Sequence, residues 1–487
     1  MRRNTIESPQ DLDPDDWPAF RAQAHAMLDD MLDHVATVRE GPVWRPLPDE
    51  TRAAFQGLAP RGPTDLAAVH QDFKDVVLPF SVGNLHPRFM GWVHGGGAVA
   101  GMVAEMLAGC LNANLGGRDH APIEIERQVT RWMAELFGFP VTASGLFVTG
   151  ASMANFIAVL VARTAALGES SRKTGLGEAG AGLVAYASRG AHNCLSRATD
   201  MAGLGSDALR LAPTDVRGRI DVEAATAMIQ ADRRAGRRPF LLIGTAGTVD
   251  TGAIDDLGAL ADLAEAEGLH FHVDGACGAL GVMSPELAPR FSGMERADSI
   301  ALDFHKWGQA PYDAGFVMVR DRERHMAAFA SPAAYLRREA HGIAAGSPWP
   351  CDFGPDLSRG FRALKVWFIL RVYGTARLGE MMLGTCRLAQ ALADRIDREE
   401  ELERLAPVEL NIVCFRYRGP SSDALNAAIV VELQESGVAA PSTTVIDGRL
   451  AIRAAIFNHR TRPADLDLLA DSVLSLGRRL SASGVSA

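Results

Sequence analysis

The residues of this 487-residue chain best suited to covalent chemistry lie in ALDFHKWGQAPYDAG (301–315), where Lys306 follows His305 at the end of an apolar run. A lysine there is either an ordinary surface lysine at a strand end or an amine kept out of water so that it can act as a nucleophile. The residues beyond the other apolar runs decide between the two. GLFVT (145–149) runs into Gly150, Ala151 and Ser152, which open an expected helix. LVAYAS (183–188) leads to His192, and FLLIGTA (240–246) leads to Thr248. LHFHV (269–273) is followed by Asp274, and SIALD (299–303) closes on Asp303, with His305 and Lys306 just beyond. In an open parallel sheet, ligands bind beyond the carboxyl ends of the strands. One rim therefore collects small residues at a helix start, which can cradle an anion, with an imidazole, carboxylates and an amine.

Those parts match the needs of pyridoxal 5′-phosphate. Its aldehyde requires an amine, which Lys306 supplies with a pKa lowered by burial. Its ring nitrogen must stay protonated for the ring to accept electrons, and Asp274 is the acid to keep it so. The flat imidazole of His192 can stack on the ring, and the phosphate fits the helix start at Ser152. Other motif readings fare worse. GLGEAG, with Gly175, Gly177 and Gly180, has GxGxxG spacing but comes after SSRKT instead of a strand, and GGGAVA near Gly95 shares that weakness. His270, His272 and Asp274 share one face of a strand, where facing residues are too well separated for a metal site, so no metal is expected. GASMA (150–154) lacks the second glycine of the GxSxG elbow of hydrolases.

The elements that must position these residues fall into three regions. Through 85–375, short apolar strands alternate with helical segments. That rhythm predicts an α/β domain with a mostly parallel sheet covered on both faces. In residues 1–84, Phe20, Ala24, Met27, Leu28, Met31, Leu32 and Val35 fall at helical spacing and make one apolar stripe. Such a helix packs on a partner subunit or on the chain's own core. Residues 376–487 read as a small α+β domain, with a helix near 376–400, strands at LNIVCFRY and RLAIRAAIF, and a last helix from Pro463 to about Leu480. Gly168 to Gly182 is expected to be an exposed loop.

Composition narrows the function classes. The chain is 47% hydrophobic and 22% charged, ordinary for a globular protein. A net charge of −10 gives no general help toward nucleic acid or an anionic membrane, and neither partner is expected. Six cysteines without a CxxC pair suggest free thiols in a reducing cytoplasm. The N-terminus has no apolar core of a signal peptide, and the glycine-rich apolar stretch from Gly95 to Leu111 is too short to span a bilayer.

HVDGACGAL (272–280), DFHKWGQAPYDAG (303–315) and TGASMANFIAVLVAR (149–163) resemble the group II pyridoxal-phosphate-dependent amino-acid decarboxylases, of the aromatic-L-amino-acid decarboxylase branch. HPRFMGW (86–92), AHNCLSRA (191–198), GTVDTGAIDDL (247–257) and RGFRALKVWFILRVYG (359–374) extend the similarity. The resemblance implies the fold type I architecture, with a mainly parallel seven-stranded sheet in the large domain. It implies that Lys306 carries the Schiff base, Asp274 pairs with the pyridine nitrogen, His192 stacks on the ring and Ala276 touches its other face. Ala151, Ser152 and Asp303 would hold the phosphate, and Thr248 and His305 complete the cofactor set. Tyr335, in ASPAAYLRRE, aligns with a loop tyrosine that protonates the substrate carbon after carbon dioxide leaves. The family is a homodimer with its active site between subunits.

Some residues depart from the family pattern. Trp92-Val93-His94-Gly95 stands where relatives acting on aromatic amino acids tend to have Tyr-Phe-Pro-Thr or Ser, which makes Trp92 and His94 the candidates that shape the substrate pocket. Phe304, Gly275, Cys277 and Val249 also replace commoner residues, without removing a group that imine chemistry needs. The implied activity is decarboxylation of an L-amino acid, an aromatic one first. The alternatives are a non-aromatic substrate such as glutamate or diaminobutyrate, oxidative deamination to an aldehyde, which Tyr335 argues against, and a protein that binds the cofactor without doing chemistry.

Overall fold

The computed structural model describes residues 11–330, 338–419 and 422–483. Its strands in chain order are β1 (Phe89–Met90), β2 (Ser144–Val148), β3 (Leu183–Ser188), β4 (Leu209–Ala212), β5 (Arg238–Thr245), β6 (His270–Asp274), β7 (Ser299–Asp303), β8 (Gly315–Val319), β9 (Leu402–Arg404), β10 (Ile412–Tyr417), β11 (Ala440–Ile446) and β12 (Arg449–Ala455). Seven of them form a central sheet in the order β2-β8-β7-β6-β5-β3-β4. Only β8 runs antiparallel to its neighbours. The sheet is thus mostly parallel, as the alternation of apolar runs and helical segments predicts.

Every residue of β3 and β6 is buried. Alternate residues of a strand face opposite sides, and both sides are covered here. Leu183, Ala185 and Ala187 pack with Val159 and Ala162 of the helix Ala151–Leu167 and with Leu195 and Ala198 of the helix Cys194–Met201. Val184 and Tyr186 pack on the other side with Leu242, Leu260 and Ile229. This two-sided burial is why the strands read as unbroken apolar runs.

The second sheet has the order β1-β11-β12-β10-β9. It packs against the helices Ser422–Glu435 and Pro463–Ala482 through Phe415, Ile429, Ile452, Leu469 and Val473. β1 pairs in parallel with β11, Phe89 opposite Ala440, and so ties the 86–92 segment to this sheet.

Two elements differ from expectation. The helix expected near 376–400 belongs to a longer one, Arg362–Arg398, interrupted at Gly374 with φ 71°. Ala363, Leu364, Val366, Ile369 and Leu370 bury the part before the break, and glycine alone takes a positive φ there without strain. The stretch from Gly168 to Gly182 holds two short helices, Ser171–Thr174 and Gly177–Ala181.

The N-terminal helix Trp17–Thr37 begins at Asp16, whose carboxylate accepts the Ala19 N–H at 2.9 Å. None of its residues is buried, and Trp17 and Phe20 are 58% and 42% exposed. Just beyond it, Arg39 reaches Asp465 at 2.7 and 2.9 Å. No helix among the described residues is long and apolar enough to cross a membrane.

Candidate active site

β2 delivers Gly150 to the carboxyl rim, and the helix Ala151–Leu167 starts there without a side-chain cap. A Cβ on Gly315 would stand 2.3 Å from Gly150 Cα, so glycine is what lets β8 pass this close. Behind the strand, Arg359 donates to Glu126 Oε1 at 2.6 Å and to the Phe147 carbonyl at 2.7 Å, while Phe147 N–H donates to Glu126 at 3.2 Å. Both charged groups are buried, so removing either one would cost about 3–5 kcal/mol.

The acids sit at the ends of adjacent strands β6 and β7. Asp303 Oδ1 accepts the Ala151 N–H at 2.7 Å, and Lys306 Nζ lies 2.9 Å from Asp303 Oδ2. His305 Nδ1 accepts the Ala314 N–H at 3.0 Å, which leaves Nε2 to face Asp303 Oδ1 at 3.7 Å. The expectation that burial lowers the Lys306 pKa is overturned. Burial is the largest single effect and pushes it down, but the charge and hydrogen bond of Asp303, with Cys277 and Asp274, together push the other way, and the amine is held above the ordinary lysine value.

Asp274 is 4% exposed and accepts a hydrogen bond from Ala276 N–H at 3.2 Å. Burial raises its pKa, partly offset by the Lys306 charge. Among the described residues no ion pair is made by Asp274 within 4.0 Å, so a cationic partner placed there would be held strongly. His192 Nδ1 accepts the Cys194 N–H at 3.2 Å, which puts the hydrogen of the neutral ring on Nε2. Burial lowers the His192 pKa and favours that neutral form, against a smaller opposing effect of Asp274. Thr248 is buried, contacts Thr251 Oγ1 at 3.0 Å and accepts the Ala253 N–H at 3.0 Å, which closes the turn after β5.

The wall opposite is aromatic. The Phe89 and His94 rings stack with centroids 5.5 Å apart, and Trp92 lies 6.1 Å from His94. Tyr312 meets His94 edge-on at 5.6 Å and lies 4.3 Å from the His305 ring. Burial first, and then the Lys306 charge, lowers the His94 pKa, which ties this wall to the amine. Gly95 N–H donates to the His305 carbonyl at 3.2 Å. Arg453 of β12 donates to the carbonyls of Val249 and Trp92, so the second sheet braces both this wall and the Thr248 turn.

The rim thus brings together Ala151, Ser152, His192, Thr248, Asp274, Ala276, Asp303, His305 and Lys306, with Trp92 and His94 alongside. Tyr335 lies outside the described residues. His270 and His272 share Ser299 Oγ, each at 2.9 Å, and His272 also meets Asn155 at 2.7 Å. Sequence reasoning missed Tyr312 and Arg453. Tyr312 stands six residues after the lysine in the 301–315 stretch, whereas nothing in the chain's linear order links Arg453 to Trp92.

The donor set fits pyridoxal phosphate. It offers one amine, a buried carboxylate that lacks a bonded cation among the described residues, a neutral imidazole and a helix start with small residues. Asp303 is the exception among the expected phosphate ligands, since it meets the helix start as an acceptor.

The family described as the pyridoxal-dependent decarboxylase conserved domain matches residues 48–418. The chain is 33% identical to an aromatic-L-amino-acid decarboxylase of Bacillus atrophaeus over 408 residues, 82% of each chain. It is 31% identical to an L-2,4-diaminobutyrate decarboxylase of Rhizobium meliloti (strain 1021) over 455 residues, 89% of this chain and 90% of that one. The crystal structure of Oryza sativa TDC with PLP and tryptamine superposes with a TM-score of 0.88 at 23% identity, covering 97% of this chain and all of that one, and shows the same fold.

Proposed function

The chain belongs to the pyridoxal-dependent decarboxylase family, and from that premise we propose that it decarboxylates an L-amino acid with an aromatic side chain, releasing the amine and carbon dioxide. The family makes it a pyridoxal-phosphate enzyme and a carboxy-lyase. The choice of an aromatic substrate rests on one observation, the wall of Phe89, Trp92, His94 and Tyr312 beside the amine. Flat rings are recognised by offset or edge-on contact with other rings, worth about 0.5–1.5 kcal/mol a pair beyond the area buried.

Lys306 is the amine that would hold the cofactor's aldehyde. Asp274 holds the ring nitrogen protonated, supported by its burial and its lack of an ion-pair partner among the described residues. His192, its hydrogen on Nε2, would stack on the cofactor's ring with Ala276 toward the other face, and the start of the helix at Ala151 and Ser152 would hold the phosphate. Thr248 and His305 would complete the set that holds the cofactor. The bound cofactor supplies an electron sink for the bond between Cα and the carboxylate. Tyr335 would be the acid that returns a proton to Cα. The enzyme works as a homodimer, for which the unburied Trp17–Thr37 helix is the support.

A substrate with a cationic side chain is the second reading. Ring faces attract ammonium groups, and the Asp250 carboxylate, fixed by Thr444 at 2.6 Å, lies near enough to His192 to oppose in part the lowering of its pKa by burial. Carbon dioxide release from the common L-amino acids, L-DOPA and L-2,4-diaminobutyrate tests the choice. Turnover of aromatic substrates at least tenfold above all others supports the proposal, and preference for diaminobutyrate or glutamate overturns it. Ammonia and peroxide among the products would replace decarboxylation by oxidative deamination.

A further inference from the structure

The anion at the helix start belongs to the protein itself. Asp303 Oδ1 takes the Ala151 N–H at 2.7 Å, and its Oδ2 takes the Lys306 ammonium at 2.9 Å. The carboxylate is 3% exposed. A Cβ on Gly150 would lie 3.6 Å from Asp303 Oδ1, ordinary contact distance, so the carboxylate borders the first turn of the helix. An ionised carboxylate accepts hydrogen bonds and has none to give. A phosphate arriving at this turn needs the same N–H group and meets a like charge held out of water.

We propose that Asp303 is a resident anion that competes with the cofactor's phosphate for the start of the Ala151–Leu167 helix and pairs Lys306 as an ammonium until the cofactor enters. It thereby sets how tightly the cofactor is held. The inference rests on reading this rim as the cofactor site. Its surroundings favour the role. His305 Nε2 at 3.7 Å remains as a partner when the phosphate takes the Ala151 N–H and the imine removes the ammonium. Gly315 packed on Gly150 keeps the turn from moving aside for a second anion.

The test separates the phosphate from the rest of the cofactor. Apoenzyme, wild type and Asp303→Asn, is titrated with pyridoxal 5′-phosphate and with pyridoxal, and binding is followed by the visible absorbance of the imine. The change common to both ligands reports the Lys306 pairing, and the ratio of the two affinities reports the phosphate. Competition predicts that this ratio rises at least tenfold in Asp303→Asn, and that inorganic phosphate becomes a stronger competitor. An unchanged or lower ratio overturns the proposal, because Asp303 then does not oppose the phosphate. Asp303→Ser repeats the comparison if the first variant folds poorly. In wild-type apoenzyme, amide hydrogen exchange gives a reading without any variant: protection of the Ala151 amide before the cofactor is added is expected, and free exchange there sinks the idea. Borohydride trapping at Lys306 in the wild type is read separately. Its failure would remove the cofactor-site reading, whatever the affinity ratio shows.

Discussion

Gly95 and Gly97 offer a matched pair of substitutions that tests how closely the 92–95 segment clamps the lysine. A Cβ at Gly95 would stand 2.3 Å from the Lys306 carbonyl oxygen and 2.6 Å from that of His305. Real Cβ contacts do not fall below 3.0 Å, so Gly95→Ala forces a separation of at least 3.0 − 2.3 = 0.7 Å between two backbone segments. Neither can give easily, since Gly95 is tied to His305 by its N–H and to Asn84 by its carbonyl. A 1 Å misplacement of reacting groups costs about 100-fold in rate, so 0.7 Å should cost on the order of 25-fold in kcat. The strain should also remove about 1–3 kcal/mol of stability. Gly97 has φ +63°, and a Cβ added there would meet nothing within 4 Å, so Gly97→Ala should cost about 1–2 kcal/mol of backbone strain without moving Lys306. The assay is kcat of both variants at saturating substrate, beside their melting temperatures. If Gly95→Ala keeps kcat within a factor of about two while losing stability like Gly97→Ala, the clamp has no catalytic meaning.

Three further substitutions probe other parts of the site and its frame. Asp274→Asn should still bind the cofactor but lose about three orders of magnitude in kcat, from a charge interaction near 4 kcal/mol at an effective dielectric of 20, and near-normal turnover would remove Asp274 from its role. Trp92→Ala should raise KM for an aromatic substrate by roughly tenfold with a smaller change in kcat, in line with the ~1.4 kcal/mol that such a ring contact contributes, and an unchanged KM would place recognition elsewhere. Burial pushes the pKa of His325, hydrogen-bonded to Ser144 at 2.8 Å, from 6.5 down to about 3. Between those values the unfolded chain takes up a proton that the folded chain refuses, so stability should fall as pH drops, by about 1.4 kcal/mol per pH unit for this ring. Denaturant midpoints measured down that range should show a shallower loss in His325→Gln than in the wild type, and parallel curves would refute the assignment.

Five strands of the central sheet, β2, β3, β5, β6 and β7, were legible because each is an apolar run that ends where chemistry begins, whereas β4, which carries Arg210 and is only partly buried, and β8 were not read. Thr248, Asp274 and Asp303 could be placed at one rim from that order alone. The charge state of Lys306 was not legible. It depends on how the chain turns between two near neighbours: Asp303, three residues earlier, comes to 2.9 Å, and its carboxylate together with Cys277 and Asp274 outweighs the burial that the sequence implied. The break at Gly374 was hidden because the residues before it keep helical spacing, so only the backbone angle reveals it. The bracing of Trp92 by Arg453 joins positions 361 residues apart, and the chain carries no local sign of it.

The most direct test of the imine at position 306 uses a peculiarity of the chain: Lys74, Lys173, Lys306 and Lys365 are its only lysines. Lys365 is buried as well, but it is paired with Glu105 at 2.6 Å. Borohydride reduction of the holoenzyme, followed by digestion and mass spectrometry, fixes the cofactor to whichever lysine holds it. The reduced adduct is expected on the peptide carrying Lys306 and on no other. An adduct on Lys74, Lys173 or Lys365, or none at all in coloured enzyme, would contradict the assignment of Lys306 as the cofactor's amine.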